Sequence, residues 1–223
     1  MNNKISEKSL EINISENMLR ELRNLSPEFH KLFIYGFTIK EESRTGLDIS
    51  IRLDQNRNFL SAFQYKKPIS KSESSYRFYI NNNSTRDQHV KLLIASDRAP
   101  NRVFYVFPAI IDTCELYEAS PDFLEYCYFV KPEDIRIFDN HVHIVDINVR
   151  TGRASVFSKE RQQVNTYRWE DVKGFLKKEK MITIKTLRAE FKKFTFEMIM
   201  NKYQIKENII KNPKLRLSTG FFA

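Results

Sequence analysis

The stretch Gly46-Leu47-Asp48-Ile49-Ser50-Ile51-Arg52-Leu53, followed by Asn58-Phe59-Leu60-Ser61-Ala62-Phe63-Gln64-Tyr65-Lys66, decides the fold. Ile49, Ile51 and Leu53 alternate with Asp48, Ser50 and Arg52, which is the period of a strand. Phe59, Ser61, Phe63 and Tyr65 alternate in the same way with Leu60, Ala62, Gln64 and Lys66. Asp54-Gln55-Asn56-Arg57 between them is rich in turn formers, so the segment predicts a β-hairpin. Side chains two apart on a strand share a face. With an odd-numbered turn, position 48 stands opposite position 64, and Asp48, Gln64 and Lys66 share one face. The other face is then Ile49, Ile51, Leu53, Phe59, Phe63 and Tyr65, a core face. A one-residue slip would separate these sets.

Those side chains carry chemistry. The Asp48 carboxylate, the Gln64 carbonyl and the Tyr65 backbone carbonyl form a hard-oxygen set suited to Mg²⁺ or Mn²⁺. Such an ion polarises a phosphodiester and lowers the pKa of bound water. Lys66 beside it positions the attacking water or stabilises negative charge in the transition state. The plain alternative is that Asp48 ends a loop and that Gln64 and Lys66 are an exposed polar face.

Outward from the hairpin, Ser26-Pro27-Glu28 has a capping hydroxyl, a proline at the first helical position and an acid in the first turn. With Phe29, Leu32, Phe33 and Gly36 behind it, it predicts a helix to about Ser43. Ser15 is read as the cap of a shorter helix through Asn24, and residues 1–14 as loosely ordered. Tyr76 to Ile80 is a further strand. Residues 86–97 form a helix with Val90, Leu93 and Ile94 inward. Val103 to Phe107 is a continuous apolar run, the mark of a strand buried on both faces. Strand, helix, strand at this spacing implies a crossover in a mixed sheet. Thr113 to Glu118 and Asp122 to Tyr128 read as helical turns, His141 to Ile147 as a strand and Gly152 to Ser158 as an edge strand. From residue 161 the chain turns basic, with amphipathic helices over Trp169 to Lys180 and Leu187 to Tyr203.

The hairpin resembles the PD-(D/E)xK nuclease superfamily, in the Mrr-like variant where Gln replaces the acid before x-Lys. The matching residues are Gly46-x-Asp48 and Gln64-Tyr65-Lys66, and the resemblance covers roughly residues 26–108. It implies an α/β, restriction-endonuclease-like mixed sheet flanked by helices. It also implies Mg²⁺-dependent phosphodiester hydrolysis and DNA as substrate, with Asp48 and Gln64 as metal ligands and Lys66 as the catalytic lysine. Members often add a Glu from the preceding helix. Glu41 is the choice on proximity, because Glu28 would lie about 25 Å away along that helix at 1.5 Å per residue; a solvated Glu41-Glu42 pair is the alternative. The stretch Arg102 to Asp134 also resembles uncharacterised bacterial proteins carrying this hairpin. A role in restriction or anti-phage defence, alone, as a homodimer or with a partner protein, is the expectation. The rival expectation is the same fold used to bind nucleic acid or a partner without cleaving.

Composition agrees with a globular chain. In 223 residues, 41% hydrophobic and 13% aromatic content supports a sizeable core. A formal charge of +9 and a pI near 9.4 favour a polyanionic partner. The sequence divides softly into a nuclease-like domain, 1–160, and a basic, mostly helical extension, 161–223. There Lys177, Lys178, Lys180, Lys185, Arg188, Lys192 and Lys193 interleave with Trp169, Phe175, Phe191, Phe194 and Phe196. That pattern reads first as packed helices with a solvated lysine face, then as a phosphate-backbone contact, and last as a membrane-surface helix. Cys114 and Cys127 have no metal-ligand spacing and read as reduced thiols. With no signal peptide and no apolar run long enough for a bilayer, a cytoplasmic protein without membrane contact is expected. His141-x-His143 is a candidate metal pair, with a half-exposed strand as the plainer reading. His89 is a surface or core histidine, or a phosphate contact. Neither a Gly-x-Ser-x-Gly elbow nor a P-loop nor Gly-x-Gly-x-x-Gly occurs.

Overall fold

The computed structural model describes residues 5–53, 58–81, 88–135, 143–157, 161–178 and 182–183. In chain order these form α1 (Glu7–Arg23), β1 (Phe33–Gly36), α2 (Ile39–Thr45), β2 (Ile49–Arg52), β3 (Asn58–Tyr65), β4 (Pro68–Lys71) and β5 (Ser75–Asn81). Then come α3 (Gln88–Arg98), β6 (Val103–Pro108), α4 (Thr113–Ala119), β7 (Cys127–Val130), β8 (His143–Asn148), β9 (Arg153–Phe157), β10 (Arg161–Val164), α5 (Trp169–Lys178) and β11 (Ile182–Thr183). The class is mixed α/β with two sheets. The first has the order β1-β2-β3-β6-β7, with β11 also paired to β3. It is mixed, because β3 and β6 run parallel and the crossover between them contains α3. The second, in the order β10-β9-β8-β5-β4, is antiparallel throughout; the sequence reading did not separate it from the first.

Two apolar layers follow from the alternation of the strands. On one face of the first sheet, Ile49, Ile51, Phe63, Tyr65, Phe104, Val106 and Phe129 meet Leu10, Ile14, Met18 and Leu22 of α1 and Trp169, Val172 and Leu176 of α5. On the other face, Ala62, Val103, Tyr105 and Phe107 meet Phe78, Val145, Ile147, Ala154 and Val156 of the second sheet. Strand β6 lies between these layers with all six residues buried, as its unbroken apolar run predicts. Each large side chain fully buried there contributes about 1.5–3 kcal/mol. Residues beyond position 160 join both layers: β10 pairs with β9, and the Trp169 ring lies 5.7 Å from that of Phe129. Strand β9 is therefore internal to its sheet, not an edge. The expected helix over Leu187 to Tyr203 lies outside the described residues.

Two expectations about the N-terminal region are overturned. Helix α1 starts at Glu7 and is capped by Ser6, whose hydroxyl accepts from Ser9 N at 3.0 Å. Ser15 is buried mid-helix, with its Oγ 2.9 Å from Tyr65 Oη. The expected helix from Pro27 to about Ser43 is three elements: a 3-10 turn over Pro27–Lys31, strand β1 and helix α2. Its helical spacing loses to pairing, since Phe33 to Gly36 supply the ladder partners of β2. Thr38 and Glu41 then restart a helix through a capping box.

The hairpin has the predicted register. Ile49 pairs with Phe63, Ser50 with Ala62 and Ile51 with Ser61, which sets Asp48 opposite Gln64. A bulge between Ile51 and Arg52 brings Phe59 opposite Arg52. Beyond it the faces exchange: Leu60 enters the α1 layer, and Phe59, expected there, packs towards the second sheet.

Candidate functional site

The site stands where α2 hands over to β2. Gly46 adopts φ +72°, and a Cβ there would sit 3.0 Å from the Gln88 carbonyl oxygen. This left-handed glycine lets the chain pass against the start of α3 and turn Asp48 into the ladder. Asp48 N donates to Phe63 O at 3.0 Å, and Phe37 N donates to Asp48 O at 2.9 Å. The carboxylate points to the opposing strand. Its Oδ2 accepts from Tyr65 N at 2.7 Å and from Gln64 Nε2 at 2.8 Å. The same Nε2 donates to Tyr65 O at 3.1 Å. Gln64 is buried, and among the described residues its Oε1 has no hydrogen-bond partner. Lys66 N donates to Val106 O at 2.9 Å, and its Nζ donates to Gln88 Oε1 at 2.6 Å.

The fold thus brings Asp48, Gln64, Tyr65 and Lys66 together. Glu41 does not join them: its Oε2 accepts from Thr38 N at 2.9 Å and its Oε1 from Tyr35 Oη at 2.9 Å. Those bonds, with the Thr38 N–H foremost, hold its carboxyl below the usual range. Glu28 lies in the first turn of the 3-10 segment.

Electrostatics identify other neighbours. Burial pushes the Asp48 carboxyl up to about 8; the Tyr65 N–H and Lys66 oppose the shift, while Glu42 and Glu7 add to it. Burial pushes the Lys66 amine down, against the attraction of Asp48, Glu7 and Glu42. Glu7 Oε1 accepts from Lys67 N at 3.3 Å. Burial raises the Glu11 carboxyl, Lys8 opposes this, and Glu42 and Glu7 add to it. Glu7 and Gln88 are the site neighbours the sequence did not reveal. Glu7 falls in the segment read as loosely ordered, and only a capping serine followed by Glu7 and Leu10 signalled its helix. Gln88 reaches Lys66 only through the crossover.

The remaining candidates resolve differently. His89 is a core residue, with Nδ1 3.0 Å from Tyr105 Oη and the rings stacked. Burial, with repulsion from His143, lowers it to about 3, so it is neutral. His143 is buried on β8, and His141 lies outside the described residues. Cys127 is buried and Cys114 exposed. Among the described residues, no three His, Cys, Asp or Glu side chains cluster as metal ligands, and no helix is long and apolar enough to cross a membrane.

The hairpin's own donor set fits a hard cation in a different way, with one carboxylate and two carbonyls. The two ends of an amide are isosteric. With the Gln64 oxygen in the position of Nε2, three oxygens face one another at separations of 2.8 and 3.1 Å. Neighbouring ligands of an octahedral Mg²⁺ stand about 3 Å apart, from bonds of about 2.0–2.1 Å. In the orientation present, the amide N–H groups bridge the two acceptors, and the buried Oε1 is left unpaired at a cost of about 1–3 kcal/mol.

No protein-family model matches the chain, and no curated protein or solved structure matches it.

Proposed function

We propose that the hairpin is the active centre of a divalent-metal-dependent nuclease that hydrolyses DNA phosphodiesters. The observation that carries this reading is the convergence of Asp48 Oδ2, the Gln64 amide and Tyr65 O, with the Lys66 amine on the same face and tethered to Gln88. Asp48, the Gln64 carbonyl and the Tyr65 carbonyl would hold the ion. When bound, Mg²⁺ or Mn²⁺ supplies Lewis acidity to the phosphate and acidifies a bound water. Gln88 fixes the Lys66 side chain, so the ordering of a long amine precedes substrate binding. Lys66 then orients the attacking water and offers positive charge to the phosphate oxygens as negative charge develops. The net charge of +9 is suited to a DNA substrate. Such cleavage would serve restriction or anti-phage defence.

A second reading, a binding module that does not cleave, is favoured by one observation. Burial pushes the Asp48 carboxyl towards its neutral form, and its Oδ2 is closed on Gln64 and Tyr65. Supercoiled plasmid incubated with Mg²⁺ or Mn²⁺, wild type beside Lys66→Ala, separates the two. Nicking or linearisation by wild type alone supports the nuclease. Cleavage that persists in the variant refutes the site, and none with either protein favours the module.

A further inference from the structure

The outer face of the second sheet carries a surface unrelated to the hairpin. Register places its residues in rows across the strands. One row runs Tyr79, Ile144, Phe157, Arg161. The next runs Ser70, Arg77, Asp146, Ser155, Gln163. A third pairs Ser75, Asn148 and Arg153. Tyr79 is 42% exposed, Phe157 is half-buried, and Arg77, Arg153, Arg161 and Gln163 are exposed. A cleft of about 700 Å³ follows the third row and the Asp146, Ser155 and Gln163 part of the second, and reaches Phe157 and Arg161.

The side chains on this face are held in place. Arg77 forms a two-pronged pair with Asp146 at 2.7 and 2.8 Å. Ser155 Oγ accepts from Gln163 Nε2 at 2.8 Å and from Arg161 Nη2 at 3.1 Å, and the Arg161 guanidinium lies 5.1 Å from the centre of the Phe157 ring. Among the described residues, neither Arg153 nor Arg161 has a carboxylate partner, so both charges are available to an anion.

From this arrangement we infer that the outer face of the β10-β9-β8-β5-β4 sheet binds single-stranded nucleic acid. The two arginines take successive phosphates, Arg161 from its place over the Phe157 ring, and the exposed Tyr79 offers a ring face to an unstacked base. Amide and hydroxyl groups between the rows suit base edges or sugars. Duplex bases are already stacked and offer no face to the Tyr79 ring, so a single strand is the occupant that uses both features. The inference is independent of the hairpin reading: it concerns binding and needs no metal.

Fluorescence anisotropy of a labelled 20-nucleotide oligothymidylate tests it, with full-length protein in EDTA over a salt series and a 20-base-pair duplex for comparison. Tyr79→Ala, at an exposed position, should weaken binding about tenfold. Arg153→Gln with Arg161→Gln should reduce the salt slope by about 1.4, at about 0.7 per phosphate on a single strand. Thermal melts within a degree or two of wild type establish that these variants fold. Duplex binding as tight as single-strand binding overturns the inference. So does binding unchanged in the folded variants, equal competition by polyglutamate, or no binding at all. Plasmid cleavage and oligonucleotide binding are separate readouts, so each proposal fails or stands alone.

Discussion

Replacing Gln64 with Glu is the sharpest probe of the hairpin. Gln64 Nε2 is 2.8 Å from Asp48 Oδ2, so Gln64→Glu sets two carboxyl groups at hydrogen-bond distance. Were both ionised, their repulsion at an effective dielectric of about 20 would be about 6 kcal/mol. That equals more than four pK units, since each unit is about 1.4 kcal/mol. The variant pair therefore keeps one proton well above the value of about 8 at which wild-type Asp48 titrates. The sign follows from proton linkage. Asp48 is raised from 3.8 on folding, so its contribution to stability is full below about 4 and is lost as pH rises through about 8. Lys66 is lowered on folding; its contribution is full above the unfolded pKa and is lost as pH falls through the folded one. Above about pH 8 the wild-type carboxylate and the singly protonated variant pair present the same charge to Lys66, so its contribution cancels in the difference there. Urea unfolding in EDTA should show wild type and variant running parallel from pH 6 to 7.5. From pH 8 to 9.5 the variant should fall behind by about 1.4 kcal/mol per pH unit. Mn²⁺ displaces the shared proton and should stabilise the variant more than wild type, increasingly with pH. Curves that stay parallel to pH 9.5, or equal stabilisation by Mn²⁺, would refute the convergence of these oxygens on one cation site.

Three further outcomes are expected. Lys66→Met removes the ammonium that opposes the burial of Asp48, so the Asp48 carboxyl should titrate above about 8 by ¹³C NMR while plasmid cleavage is lost. Gly46→Ala forces a side chain into φ +72° and against the Gln88 carbonyl; it should cost about 1–2 kcal/mol in urea unfolding and lower cleavage by shifting the start of α3. Tyr65→Phe removes the buried bond to Ser15 and should cost about 1–2 kcal/mol, with a double-mutant cycle against Ser15→Ala recovering most of the loss as coupling.

The readable part of this protein is its local alternation. Asp48 to Leu53 and Asn58 to Lys66 disclosed their register because one face had to be apolar, and the Ile49–Phe63 pairing follows that rule. The five apolar residues from Val103 to Phe107 announced a strand buried twice. The bulge at Arg52 left no such trace: it changes which side Phe59 faces without changing the composition of the strand. Helix and strand periods also coincide over short runs, so Phe29, Leu32, Phe33 and Gly36 looked helical until β2 supplied a ladder for Phe33 to Gly36.

The candidate site divides along the same line. Asp48, Gln64, Tyr65 and Lys66 belong to one hairpin, whose geometry is set by alternation over a few residues, so the sequence by itself determined that they meet. Glu41 was nearest in chain order, but a capping box and Tyr35 hold it elsewhere. Only the tertiary structure brought in Gln88, through a parallel crossover, and Glu7, through the packing of α1. Only the packing of α1 and α3 against the hairpin's end took water from the Asp48 carboxyl and the Lys66 amine and pushed both towards their neutral forms. Contacts within one hairpin are encoded by spacing; contacts between elements, and the loss of solvent that shifts a proton, exist once the layers close.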